Sequence, residues 1–128
     1  MIDPIFQTDN YQLARKLLDV TVLRQQAIAS NIANSDTPGY HRLDIAPDFA
    51  AQLKARLADG DGAKSIDSLQ PQLAQDPNAR TVRPDGNNVE LGSELVAMDK
   101  NTVDFNFLSQ VVTYDLKQMK MAITGQVV

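Results

Sequence analysis

The chain has 128 residues, 12 basic against 16 acidic side chains, and neither cysteine nor tryptophan. Zero cysteine excludes a disulfide scaffold, a thiolate metal site and a cysteine nucleophile. A net charge of −4 withholds the surplus of Lys and Arg that nucleic-acid phosphates demand, and 5% aromatics leave few anchors for a dense core.

The opening Met1-Ile2-Asp3-Pro4 places Asp3 and Asp9 ahead of any base, unlike the basic start of a cleavable secretory signal. No run approaches the ~18 uninterrupted apolar residues of a membrane helix. Five of the six prolines (Pro38, Pro47, Pro71, Pro77 and Pro84) lie between Asp36 and Asn88, and four of the six glycines lie there too. Proline removes a helix donor and clashes with the preceding turn, so long helices are confined to the two arms.

The predicted organisation is therefore three segments: an N-terminal helix within residues 1–35, a connecting Pro/Gly-rich segment over 36–88, and a C-terminal helix within 89–128. In the first arm, about Asp9 to Ser35, Leu13, Leu17 and Val20 begin one apolar stripe and Tyr11, Ala14, Leu18, Val22, Ile28 and Ile32 form a neighbouring one. A single partner helix covers only one of them. The run Asn31-Ile32-Ala33-Asn34-Ser35-Asp36-Thr37-Pro38-Gly39-Tyr40 then reads as a helix exit and a tight turn. Pro38 sets φ for the first central position, Gly39 tolerates the positive φ of a type II turn, and Thr37 is pushed out of helical geometry. Asn31 and Asn34 share a helix face from which to bond the returning chain, with Tyr40 folding back on the helix end. A short amphipathic helix is expected about 48–58, started by Pro47 or Asp48 and stopped by Gly60 and Gly62. Residues 63–88 read as extended loop, with a strand or two near Thr81-Val82-Arg83 left open.

The C-terminal arm steps by four and three through Leu91, Leu95, Met98, Thr102, Phe105, Ser109, Val112, Leu116, Met119 and Ile123, eight of ten apolar. That 3.5-residue repeat is a coiled-coil seam. Asn88 reads as its N-cap and Gly125 as its stop. The expected fold is all-α, with the two long helices paired antiparallel into a coiled-coil-like inner domain. Leu13, Leu17, Leu18 and Ile32 are expected to face the C-terminal seam or a neighbouring molecule.

Chemistry is scarce. His41, the only histidine, follows a Pro-Gly-Tyr turn and lacks a second ligand for a metal. Glu90 and Glu94 read as favourable charges on a first helical turn. Asp59-Gly60-Asp61-Gly62 lacks the bidentate acid of a calcium loop. The sequence points to no enzyme, no metal, no cofactor and no small-molecule substrate.

The run from Ile28 to Tyr40, with Leu23-Arg24 before it and Arg42 after it, resembles the N-terminal signature of the bacterial flagellar axial proteins: rod, hook and hook-associated subunits. The short length, the Asp36-Thr37-Pro38-Gly39-Tyr40 form and the following Asp48-Phe49 resemble a basal-body rod subunit of the proximal kind. Gly86-Asn87-Asn88-Val89-Glu90-Leu91, then Glu94, Met98 and Asn101, make a second match. Gly92, Ser93, Asp99 and residues 102–105 depart from the family pattern. The resemblance implies a subunit that stacks helically with itself and with homologous rod subunits around an export channel. It further implies contact with an adaptor protein and membrane-embedded ring at the rod base, and a periplasmic place reached through the flagellar type III export apparatus without a cleaved signal. A soluble helical-hairpin adaptor or secretion chaperone is the alternative.

Overall fold

The computed structural model describes residues 4–60, 62–80 and 82–125. In chain order it contains α1 (Pro4–Ala33), β1 (Leu43–Ile45), α2 (Pro47–Asp59), α3 (Ala63–Asp67), β2 (Leu73–Gln75) and α4 (Leu91–Thr124). Helices α1 and α4, of 30 and 34 residues, occupy the two arms, where the one proline, Pro4, stands at the start of α1 and its missing N–H costs nothing. At about 1.5 Å per residue they span roughly 45 and 51 Å. Their contacts descend α1 as they ascend α4: Asn31 Nδ2 donates to Glu94 Oε2 at 3.1 Å, whereas Asn101 Nδ2 donates to Thr21 O at 2.9 Å and Gln25 Oε1 at 3.0 Å.

The most deeply buried side chains of α4 are polar. Only Glu94 and Asn101 are buried on this helix, so its apolar residues lie half-buried or exposed. The largest cluster of buried apolar side chains sits instead between α1, α2 and α3, where Val20 meets Phe49, Leu53, Ile66 and Leu69. Leu13 and Leu17 pack against that cluster with Ile45. Lys16, itself buried, reaches from α1 to donate to Asp67 O at 3.0 Å and Leu69 O at 2.8 Å, a cation at the carbonyl end of α3. Helix α2 starts with Pro47 in its first turn and stops at Gly60, whose φ of +68° is left-handed.

The fold departs from all-α by one antiparallel strand pair, registering Leu43 with Gln75, Asp44 with Ala74 and Ile45 with Leu73. Ala46 N to Gln72 O and Asp76 N to Arg42 O, both 2.8 Å, extend the ladder past each end. Three-residue strands carry too little alternation to be read from sequence. The segment expected as loop from 63 to 88 also holds α3. Val82 and Arg83 lie in no strand, and Thr81 lies outside the described residues. Helix α4 begins two residues after the expected Val89, with Glu90 at its N-cap position and no side-chain cap. Asn88 is not that cap, because its Oδ1 accepts from Arg42 N at 2.6 Å. Gly125 ends the helix in left-handed geometry, its N–H bonding Met121 O at 2.8 Å.

Candidate functional site

Two sequence runs far apart in the chain, 31–42 and 83–94, dock on each other. The first leaves α1 through a turn in which Tyr40 N donates to Thr37 O at 3.3 Å across Pro38 and Gly39, with Gly39 at φ +72°. Asn31 sits fully buried on the last turn of α1. Its amide makes a reciprocal pair with the returning backbone: Nδ2 donates to Leu43 O at 2.9 Å, and Oδ1 accepts from Leu43 N at 2.8 Å. Tyr40 folds back so that its hydroxyl lies 2.9 Å from Ser30 Oγ and donates to Asn31 Oδ1 at 3.2 Å. Asn34 stays on its own helix end, donating to Ser30 O at 2.8 Å and accepting from Thr37 Oγ1 at 3.2 Å. Asp36 is exposed.

The second run caps the first. Helix C-termini leave carbonyls without intrahelical donors. Asn87, fully buried, turns its Nδ2 toward three carbonyls of the turn that follows α1: Asn34 O at 2.9 Å, Ser35 O at 3.1 Å and Thr37 O at 2.8 Å. Its Oδ1 accepts from Val89 N at 2.8 Å. Arg83 also donates to Ser35 O. Gly39 N donates to Asp85 O at 2.8 Å and Asn88 N to Tyr40 O at 3.3 Å, so the two turns lie backbone to backbone. A Cβ on Gly86, at φ +84°, would come 3.4 Å from Gly39 Cα. Glycine suits both the left-handed φ and this approach.

At the base of the junction, the Arg42 guanidinium bonds Glu94 on α4, Asp44 at 2.9 Å and Asp76 at 2.7 Å. Arg24 approaches Asp44 at 3.6 Å. Burial opposes the charge on Arg42, but the bonds to Glu94 and Asp44 outweigh it and raise its pKa above the ordinary arginine value. A raised cationic pKa stabilises the fold below the unfolded-state value and loses that effect only as pH climbs through the folded-state value, here far into alkali. Glu94, 1% exposed, is held by Arg42 and Asn31 together. In the sequence Glu94 reads as a favourable charge on the first helical turn. The signal was its spacing, since Glu94, Met98 and Asn101 fall on one helical seam. Asn87 carried no signal beyond its place in the second motif. His41 and Glu90 are exposed. Among the described residues no group of acidic or histidine side chains is arranged to hold a metal ion.

The expected seam residues are scattered. Met98, Val112 and Met119 are half-buried, Leu95, Phe105 and Leu116 are exposed, and Ile123 is 85% exposed. Leu18 and Ile32 are half-buried on α1. Two grooves of about 420 Å³ flank the long helices. One runs past Leu17, Val20, Phe49, Phe107 and Leu108, the other past Val22, Gln26, Ala29, Asn101, Thr102 and Phe105.

Residues 22–41 match the family described as flagella basal body rod protein. Over most of its length the chain is similar to the flagellar basal body rod protein FlgB of several bacteria. Identity is 28% to that of Escherichia coli, covering 93% of this chain and 94% of the relative. It is 32% to that of Proteus mirabilis strain HI4320, over 89% and 85%. It is 31% to that of Salmonella typhimurium, over 87% and 90%.

Proposed function

This chain belongs to the family of flagellar basal body rod proteins FlgB, and from that premise we propose that it is a structural subunit of the proximal rod. In this reading α1 and α4, within residues 1–35 and 89–128, form an antiparallel inner domain that stacks helically with itself and with homologous subunits around the export channel. Residues 36–88 form the outer segment, and the junction of Asn31, Asn34, Thr37, Pro38, Gly39 and Tyr40 sets its direction relative to the helices. Asp36 belongs to the same junction, on its exposed side. The rod base contacts the adaptor protein and the membrane-embedded ring. The subunit reaches the periplasm through the flagellar type III export apparatus on an uncleaved N-terminus.

One observation carries this reading: the two runs that resemble the family signature, remote in sequence, build a single polar junction while Leu95, Val96, Val103, Phe105, Phe107 and Leu116 of α4 stay exposed. A part that transmits torque needs a rigid joint between its helices and its outer segment, together with surfaces left free for neighbours. In this reading Glu94, Asp44 and Asp76 serve the joint through their pairing with Arg42.

Deletion of the coding sequence is expected to abolish external filaments and swimming, and a plasmid copy to restore both. A deletion strain that swims refutes the proposal. Gly39→Val places a β-branched residue at φ +72°, costing about 1–3 kcal/mol of backbone strain. It is expected to leave subunit synthesis intact and block assembly.

A further inference from the structure

The apolar stripe Leu13, Leu17 and Val20 of α1 is covered by the chain itself. Phe49 and Leu53 of α2, Ile66 of α3 and Leu69 just beyond it close over Val20, with Leu13 and Leu17 packed alongside. Helices α2 and α3 are tied to each other. The Arg56 guanidinium on α2 donates to Ser65 O at 2.6 Å, Ser65 Oγ at 3.1 Å and Ser68 Oγ at 2.7 Å. The other side-chain bond of α2, Gln52 to Asp48, also stays inside the unit. The polar link to a long helix comes from Lys16 on α1, which donates to Asp67 O and Leu69 O.

This unit leaves and re-enters the fold at one point. Ile45 registers with Leu73, and Ala46 N donates to Gln72 O at 2.8 Å. The next residue outward is proline on both sides, Pro47 and Pro71. Proline offers no N–H, so the ladder stops there and carries no pairing into the unit. Toward α4 the unit is incompletely seated. A groove of about 420 Å³ runs past Leu17 and Val20 of α1, Phe49 and Leu53 of α2, and Phe107 and Leu108 of α4.

We propose that α2 and α3 form a releasable strap. They lift from α1 as one unit about the Pro47 and Pro71 stems, while the strand pair and the junction stay closed. Lifting bares an apolar face shared by the long helices: Leu13, Leu17 and Val20 on α1 with Phe107 and Leu108 on α4. Seated, the strap withholds the α1 half of that face from other molecules; lifted, it offers the whole. Lys16 is the latch, since its two bonds are the polar link that lifting must break. Segments held by few contacts open locally at lower free energy than the rest of a fold. The strap is a property of the single chain, independent of its place in a rod.

Native-state hydrogen exchange of the purified full-length chain in low urea tests the strap. Amides of α2 and α3 are expected to exchange through one shared opening, easier and less urea-dependent than the opening that frees Leu43 N, which is bonded to Asn31 Oδ1. Lys16→Met is expected to speed their exchange about tenfold or more, because hydrogen bonds from a charged group are the stronger kind. Asn87→Ala, which loosens the junction, is expected to speed exchange at Leu43 N and leave α2 and α3 unchanged. Helices that open only with the whole fold would follow Asn87→Ala, and that result overturns the proposal. Separate openings for α2 and α3 overturn it too. The chain holds no cysteine, so Val20→Cys reports the bared face directly. Its thiol is expected to react with a maleimide faster than that of Ile28→Cys, a position 1% exposed on the same helix. Equal rates at the two positions also overturn the strap, and exchange in the unsubstituted chain decides the matter even where a variant fails to fold.

Discussion

The junction and the long helical pair solve opposite problems with similar residues. Around Asn31, Asn87, Arg42 and Glu94 nearly every polar atom finds a partner, and two remote segments are clamped in one arrangement. Along α1 and α4 the most buried residues of α4 are also polar, yet Asn101 Oδ1 is left unpaired and Val96, Val103, Phe107 and Tyr114 turn outward. A satisfied buried network is rigid and specific, while a half-satisfied one costs stability. The difference teaches where the subunit is finished and where it waits for neighbours. Substitutions in the junction should therefore damage the fold of a single chain, and those along α4 should damage association.

The strongest break is Arg42→Ala. It strands Glu94, 1% exposed, without its cation and leaves Asp44 and Asp76 unneutralised beside it. Removing one partner of a buried ion pair costs about 3–5 kcal/mol, so urea unfolding followed by circular dichroism should show a loss of that order. A loss below about 1 kcal/mol would place the pair among weak surface bridges. Asn87→Ala comes next. It withdraws the donor to three carbonyls and the acceptor for Val89 N. Some of those groups gain water instead, so about 2–3 kcal/mol is expected by the same assay, within the range for buried unsatisfied groups. Faster hydrogen exchange should appear at Val89 N and at Gly39 N.

Gly39→Val ranks third on stability at about 1–3 kcal/mol, and it sharpens the comparison differently. An added Cβ at Gly39 meets nothing within 4 Å, so Gly39→Ala reports backbone strain alone. Gly39→Ala should consequently still cost about 1 kcal/mol, and Gly39→Val more, because a β-branched residue is disfavoured further in the left-handed region.

Much of this arrangement was legible in the residues. Proline-free arms announced the long helices, Pro47 and Gly60 bracketed α2, and Pro38-Gly39 specified the turn. The strand pair was not legible, because Leu43-Asp44-Ile45 is aligned by Asn31 and by Gln75 across the sheet and not by its own pattern. The inward face of α4 was hidden for another reason. Periodicity assigns apolar positions to the partner helix, but Glu94 and Asn101 hold that face while Leu95 and Phe105 sit to its side. A buried carboxylate shows only through its partner, and Arg42 lies 52 residues earlier.

The smallest stability effect should come from Asn101→Leu, the substitution that probes the comparison most directly. Asn101 binds the Thr21 carbonyl and Gln25 while leaving its own Oδ1 unpaired, so a leucine loses two bonds and removes one buried penalty. Those terms nearly cancel, and a change within about 1 kcal/mol of zero is expected. Register is a different matter. A single buried asparagine in a helical seam fixes alignment at a cost in stability, and Thr21 with Gln25 is where α1 and α4 are tied furthest from the junction. Leucine should let the far ends slide. Paired cysteines at Val22 and Thr102, or at Val22 and Phe105, positions that line one groove, would then cross-link in changed proportion while the urea midpoint stays nearly fixed. A fixed cross-linking ratio would show that Glu94 and Asn31 alone set the alignment, and that the junction governs the two helices as far along as Asn101.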